Sequence, residues 1–90
     1  MQADLRTIDS AIAIAVAKGY TLPAATTAMT DTSPAEVVAL LATVPQSPAG
    51  NFTTAKTTTP TAMTAGYYSI NKDGRAVVKV GAVEKTSDTL

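Results

Sequence analysis

The sequence predicts an α+β domain: a long N-terminal helix over residues 2–18, packed on a small antiparallel β-sheet. A short second helix over 34–43 and a C-terminal hairpin, strands 66–71 and 75–80, complete it. Three observations carry this. At about 100° per residue, Leu5, Ile8, Ile12, Ala15 and Val16 fall on one stripe roughly 100° wide, the width of a helix face turned to a core. Ser33-Pro-Ala-Glu36 has the form of a helix start, with a capping serine, proline at the first helical position and Glu36 placed to reach back. Asp73-Gly74 between two alternating apolar segments is a hairpin signature, because glycine takes the positive φ of the turn.

Taken in order, the first helix obeys the macrodipole, with Asp4 in its first turn, Lys18 in its last and Gly19 available for the left-handed position beyond it. Its far face carries Ala3, Thr7, Ser10, Ile14 and Ala17, where a solvated helix ordinarily carries Glu, Lys and Gln. Pro23 keeps Leu22 extended. Residues 24–32 form a loop, with Met29 as its candidate core residue. The second helix offers Val37, Val38, Leu40, Leu41 and Val44 and stops at Pro45; so short a helix must pack to exist. Residues 45–52, with two prolines and Gly50-Asn51, are turn chemistry throughout. Residues 52–56 suit a first strand, and 57–65, interrupted by Pro60, a loop. Tyr68 and Ile70 share one face of the first hairpin strand, and Ala76, Val78 and Val80 one face of the second. Adjacent Tyr67 and Tyr68 must point to opposite sides, one into the core and one outward. Gly81 is a candidate bulge, and the polar tail 84–90 is expected to fray.

Ninety residues support one domain with one modest core. Hydrophobic residues make up 46%, yet much of that is alanine, with no Trp and one Phe, so the core is built from Leu, Ile, Val and Tyr. Net charge is zero, which leaves no basic field to attract nucleic acid. No apolar run is long enough to span a bilayer. Cysteine and histidine are both absent, removing thiol nucleophiles, disulfides, histidine metal sites and the usual general base. Asp4 and Asp9, five positions apart, do not share a helix face and make no acid–base pair, and Arg6 and Asp9 are i,i+3 neighbours. Asp31 and Asp73 suit caps and turns. Asp88 lacks the acidic companions a calcium loop needs. Neither a catalytic site, a cofactor nor a metal is expected. High Thr and Ala with only 16% charged residues suits an exported surface protein better than a cytosolic enzyme. The threonine-rich stretch 53–64 reads as edge strand and loop, or as a glycosylated or adhesive patch.

Ala3-Asp-Leu-Arg-Thr-Ile-Asp-Ser-Ala-Ile12 is similar to the lower half of the spine helix of type IV pilins, in the wording of Gram-positive-type pilin-like proteins. Lys18-Gly-Tyr-Thr-Leu-Pro23 stands where that family leaves the helix through a Gly, a spacer and a Pro. Val44-Pro-Gln-Ser-Pro-Ala-Gly-Asn51 resembles the turn after its second short helix, and Tyr67-Tyr-Ser-Ile70 through Ala76-Val-Val78 resembles its closing strands. Together these span most of the chain in the family's order. Ser47 and Ala49 replace the acidic and aromatic residues of the secretion-type turn, and the paired cysteines of many Gram-negative pilins are missing, which separates the chain from those two branches.

The resemblance implies the globular headpiece of a type IV pilin or pseudopilin, a structural subunit of a pilus-like filament serving adhesion, motility, DNA uptake or protein secretion. It implies a cell-surface location with a membrane-anchored precursor, a membrane-held helical segment upstream of Met1, homo- or hetero-polymers with other pilin subunits, and membrane assembly machinery. Ala3, Thr7, Ser10, Ile14 and Ala17 are then the subunit-packing face, and Leu5, Ile8, Ile12 and Val16 the core-anchoring face. The alternative is a small free-standing interaction or inhibitor domain whose helix face binds one partner; in the bland reading the face is alanine-rich only because alanine is a good helix former.

Overall fold

The computed structural model describes all 90 residues. It begins with helix α1, Gln2–Ala17, whose end is a left-handed cap: Gly19 has φ 104°, its N–H bonds to the Val16 carbonyl, and the Tyr20 N–H reaches back to that of Ala15. That pair of bonds satisfies carbonyls the helix itself leaves open. Leu5, Ile8, Ala11, Ile12 and Ala15 are buried. The buried stripe is therefore turned toward Ala11 by one small residue. Val16, expected in the core, is 42% exposed. It lies at the margin of the apolar arc, and at the helix's last turn Ala15, not Val16, faces the interior.

The sheet has four strands in the order β1-β6-β7-β8, all antiparallel. They are β1 Thr27–Ala28, β6 Ser69–Ile70, β7 Ala76–Val80 and β8 Val83–Lys85. Two two-stranded ribbons flank it: β2 Gln46–Ser47 with β5 Gly66–Tyr67, and β3 Gly50–Phe52 with β4 Thr61–Met63. Helix α2 spans Ala35–Val38. The core joins the α1 stripe to Met29, Val37, Tyr68, Ile70 and the inward residues of β7.

The C-terminal hairpin forms as expected, with Ile70 opposite Ala76. Its turn is held by Asn71, whose Oδ1 accepts the N–H groups of Asp73 and Arg75, while Gly74 takes φ 81°. The first hairpin strand is not continuous, however. It changes sheets at Tyr68: β5 pairs with β2, β6 pairs with β1 and β7, and the Tyr68 carbonyl accepts the Met29 N–H. As alternation requires, the Tyr67 ring is outward and Tyr68 is fully buried.

Several expectations are corrected. The second helix is much shorter than residues 34–43. Pro34 has extended backbone (φ −70°, ψ 136°), so the helix starts one residue later without a side-chain cap. Ser33 instead closes a turn with Thr30: its N–H bonds to Thr30 Oγ1, and the Thr30 hydroxyl donates to Ser33 Oγ. Beyond Val38 the chain tightens into i→i+3 turns, Leu40 to Val37 and Leu41 to Val38. The turn-rich segment 45–52 contains β2 and β3, and the loop 57–65 contains β4. Ribbon pairing supplies the backbone partners that these weakly patterned residues do not advertise. Gly81, at φ 66°, is no bulge: with Ala82 it forms the two-residue turn that joins Val80 to Val83. Nor does the tail fray. Leu90 and Ser87 are buried, and Lys56 donates its backbone N–H to the Leu90 carbonyl and its ammonium to that of Asp88.

Burial on α1 sets a direct contrast between two β-branched residues. Ile12→Ala should cost about 2–5 kcal/mol by opening a cavity, whereas Val16→Ala should stay within about 0.5 kcal/mol. Urea midpoints measure both; equal losses would mean that Val16 is packed.

Candidate functional site

The face of α1 opposite the core is the surface that folding leaves unexplained. Ala3, Thr7, Ser10, Ile14 and Ala17 are all exposed, and Ile14 is 48% accessible, one of the four large apolar side chains the fold leaves in water. Thr7 donates its hydroxyl to the Ala3 carbonyl one turn back, so its donor is satisfied inside the helix. The face is thus small, weakly polar and uncharged along its own line, with Arg6 at its border. Its geometry suits close approach of another helix, since small side chains let backbones come near. Of the four core-anchoring residues, Leu5, Ile8 and Ile12 are brought together against the sheet, and Val16 is not.

Two carboxylates secure the helix so that this face stays outward. Asp4 accepts the buried Tyr68 hydroxyl at 2.8 Å. Burial, and then the bond to Asp4, raise the Tyr68 phenol well above its ordinary range. Asp9 accepts the Ala76 N–H at 2.7 Å through one oxygen; the other takes Arg75 Nε and the Ser87 hydroxyl, both at 3.3 Å. Arg75 continues outward to Ser87 Oγ at 2.9 Å and to Asp88 at 2.9 Å. Its guanidinium is held more firmly protonated, first by the bond to Asp88 and then by the charge of Asp9. Gln2 completes the tie to the tail by donating to the Ser87 carbonyl at 2.8 Å.

Arg6 is therefore not the partner of Asp9; an arginine 66 residues away is. Sequence reasoning missed Arg75, Ser87 and Asp88 as one group. The available signal was the position of Asp9 at the margin of an apolar stripe, where an unpaired carboxylate is costly. Both carboxylates act as structural acceptors. No group of three metal-ligating side chains gathers at one point, and no helix is long and apolar enough to cross a membrane.

Two outcomes follow from these ties. Asp9→Ala orphans the Ala76 N–H at a buried residue and should cost about 1–3 kcal/mol; Asp9→Asn, which keeps one acceptor, should cost less. Chemical denaturation of both variants checks the order, and the reverse order would remove the Ala76 bond as the cause. Tyr68 is favoured in its protonated form in the fold, and Tyr20 shares that direction through burial and then Glu36. The stability each contributes is complete below about pH 10, the unfolded value, and is lost as pH rises beyond it. Tyr68→Phe should flatten that alkaline decline, measured as the change in urea midpoint between about pH 8 and about pH 10.5; an unchanged slope would assign the decline to other groups.

No family model, curated protein or solved structure matches the chain.

Proposed function

We propose that the chain is the globular headpiece of a structural subunit in a type IV pilus-like filament, anchored by a membrane-held precursor and assembled at the cell surface. The observation that carries it is the division of α1. One side is locked to the sheet by Leu5, Ile8, Ile12 and two carboxylates, while the opposite side is small, nearly uncharged and uncovered from Ala3 to Ala17. The motif order from the Ala3-Asp-Leu-Arg helix to the closing hairpin supports the same reading. On it, α1 continues upstream as the helix that packs in the filament core, and its outer face meets neighbouring subunits. The headpiece then has a structural role, without catalysis.

The test joins a genomic and a functional measurement. The coding sequence upstream of Met1 should specify about 25 apolar residues behind a short basic leader. In native cells, Ile14→Glu or Ala17→Glu in the full-length protein should reduce sheared surface filaments at least about tenfold, equivalent to about 1.4 kcal/mol of lost contact, while the soluble domain keeps its melting temperature. Normal filament yield from both variants would remove the face from assembly. A plain start codon at Met1 would favour a free-standing binding domain instead.

A further inference from the structure

Residues 86–90, which follow β8, form a turn with its own internal bonds. Thr89 and Leu90 both donate their N–H groups to the Thr86 carbonyl, and the Thr86 N–H returns to the Thr89 hydroxyl. The turn carries one buried apolar side chain, Leu90, which belongs to the core and lines one depression with Met1 and Gln2. Side chains from three segments hold it there. Gln2 of α1 donates to the Ser87 carbonyl, and Asp9 accepts the Ser87 hydroxyl. Arg75 of the hairpin reaches Ser87 Oγ and the Asp88 carboxylate. Lys56 of the β3–β4 connection donates its ammonium to the Asp88 carbonyl. The Lys56 N–H to the Leu90 carbonyl is the one backbone bond from the turn to another segment.

The interior keeps its own pairing without this turn. When the turn lifts away, Asp9 retains the Ala76 N–H and Arg75 Nε, so no buried charge is left alone. Gln2 and Lys56 are exposed, and water replaces their partners. What holds the turn is a single leucine and a set of polar ties. The Asp88 side chain is 74% exposed, so its attraction to Arg75 is open to screening by salt. A segment with so little burial opens at lower cost than the whole fold. We propose that residues 86–90 are an ionic clasp that releases as a unit. Its release uncovers the end of the core beside Met1 and frees the first turn of α1 from the β3–β4 connection, while the sheet stays folded. Ionic strength is the control: low salt closes the clasp and high salt opens it. This does not depend on filament assembly.

Amide hydrogen exchange followed by NMR tests it. The Lys56 N–H reports the clasp, and the Ile12 N–H, in the middle of α1, reports the whole fold. In about 0.05 M sodium chloride Lys56 should be protected, yet at least about tenfold less than Ile12, as opening of one part requires. Raising the salt to about 1 M should lower the Lys56 protection at least about threefold and leave Ile12 unchanged. Asp88→Ala should lower it likewise at low salt and blunt the response to added salt. Equal protection at Lys56 and Ile12 overturns the proposal, because the turn then leaves only with global unfolding. So does a Lys56 protection indifferent to salt and to Asp88→Ala, or a Lys56 amide with no protection at low salt.

Discussion

The Asp9 carboxylate is the contact on which the arrangement of the other parts depends. It leaves the middle of α1 and receives three donors from two distant segments: the Ala76 N–H that opens β7, the Arg75 guanidinium and the Ser87 hydroxyl of the tail. Apolar burial drives α1 onto the sheet but is non-directional, and a core built partly on Ala11, Ala15 and Ala76 has few large side chains to fix one register. A short bond from a fixed carboxylate to a strand's first amide supplies direction. It also consumes a donor that the burial of Ala76 would otherwise leave unpaired.

Asp4 supplies the second point. Five positions separate it from Asp9, about 140° around an ideal helix, so Asp4 lies in line with the buried stripe at the first turn and Asp9 just beyond its edge in the middle of the helix. One holds Tyr68, where the chain changes sheets, and the other holds the start of β7. Their failure to share a face, which makes them useless as an acid–base pair, is what lets them tie the helix to two different segments. The tail belongs to the same device: Arg75 spans Asp9, Ser87 and Asp88, and Leu90 closes the end of the core.

What the sequence made legible was local. The α1 stripe repeats every turn, the Asp-Gly turn sits between alternating strands, and the swap of faces between Tyr67 and Tyr68 follows from a period of two. What it concealed was tertiary. Asp9 and Ser87 are 78 residues apart, and no local period announces their bond. Leu90 is one apolar residue in a polar tail, so only its position in space makes it core. Alanine hid the register of α1: Ala11 is as inward as Ile12, but a reading weighted to large side chains favoured Val16 and turned the stripe away. The second helix was over-read for a related reason. Val37, Val38, Leu40, Leu41 and Val44 fit a helical window, yet only Val37 is fully buried, and without a deep apolar face the segment tightens into single turns. Exposure of the outer face of α1 was legible because it requires only that the opposite face be buried.

The end of α1 refines where such a meeting would be made. Ile14 and Val16 lie about 160° apart on the ideal helix, nearly opposite one another, and both are exposed, with Ala15 alone facing inward between them. The last turn therefore carries apolar side chains on two sides of the buried Ala15, and its end is closed by the Gly19 and Tyr20 cap. Val16 changes role accordingly, from a core anchor to a second apolar side chain on the exposed end of the helix. In the proposed filament this gives neighbouring subunits a rigid apolar end to approach from either side. The polar braces at Asp4 and Asp9, set further back, keep folding independent of that contact. Stability and the proposed subunit contact are thereby separated around the helix: the stripe from Leu5 to Ala15 holds the domain together, and the face from Ala3 to Ala17 is left uncovered.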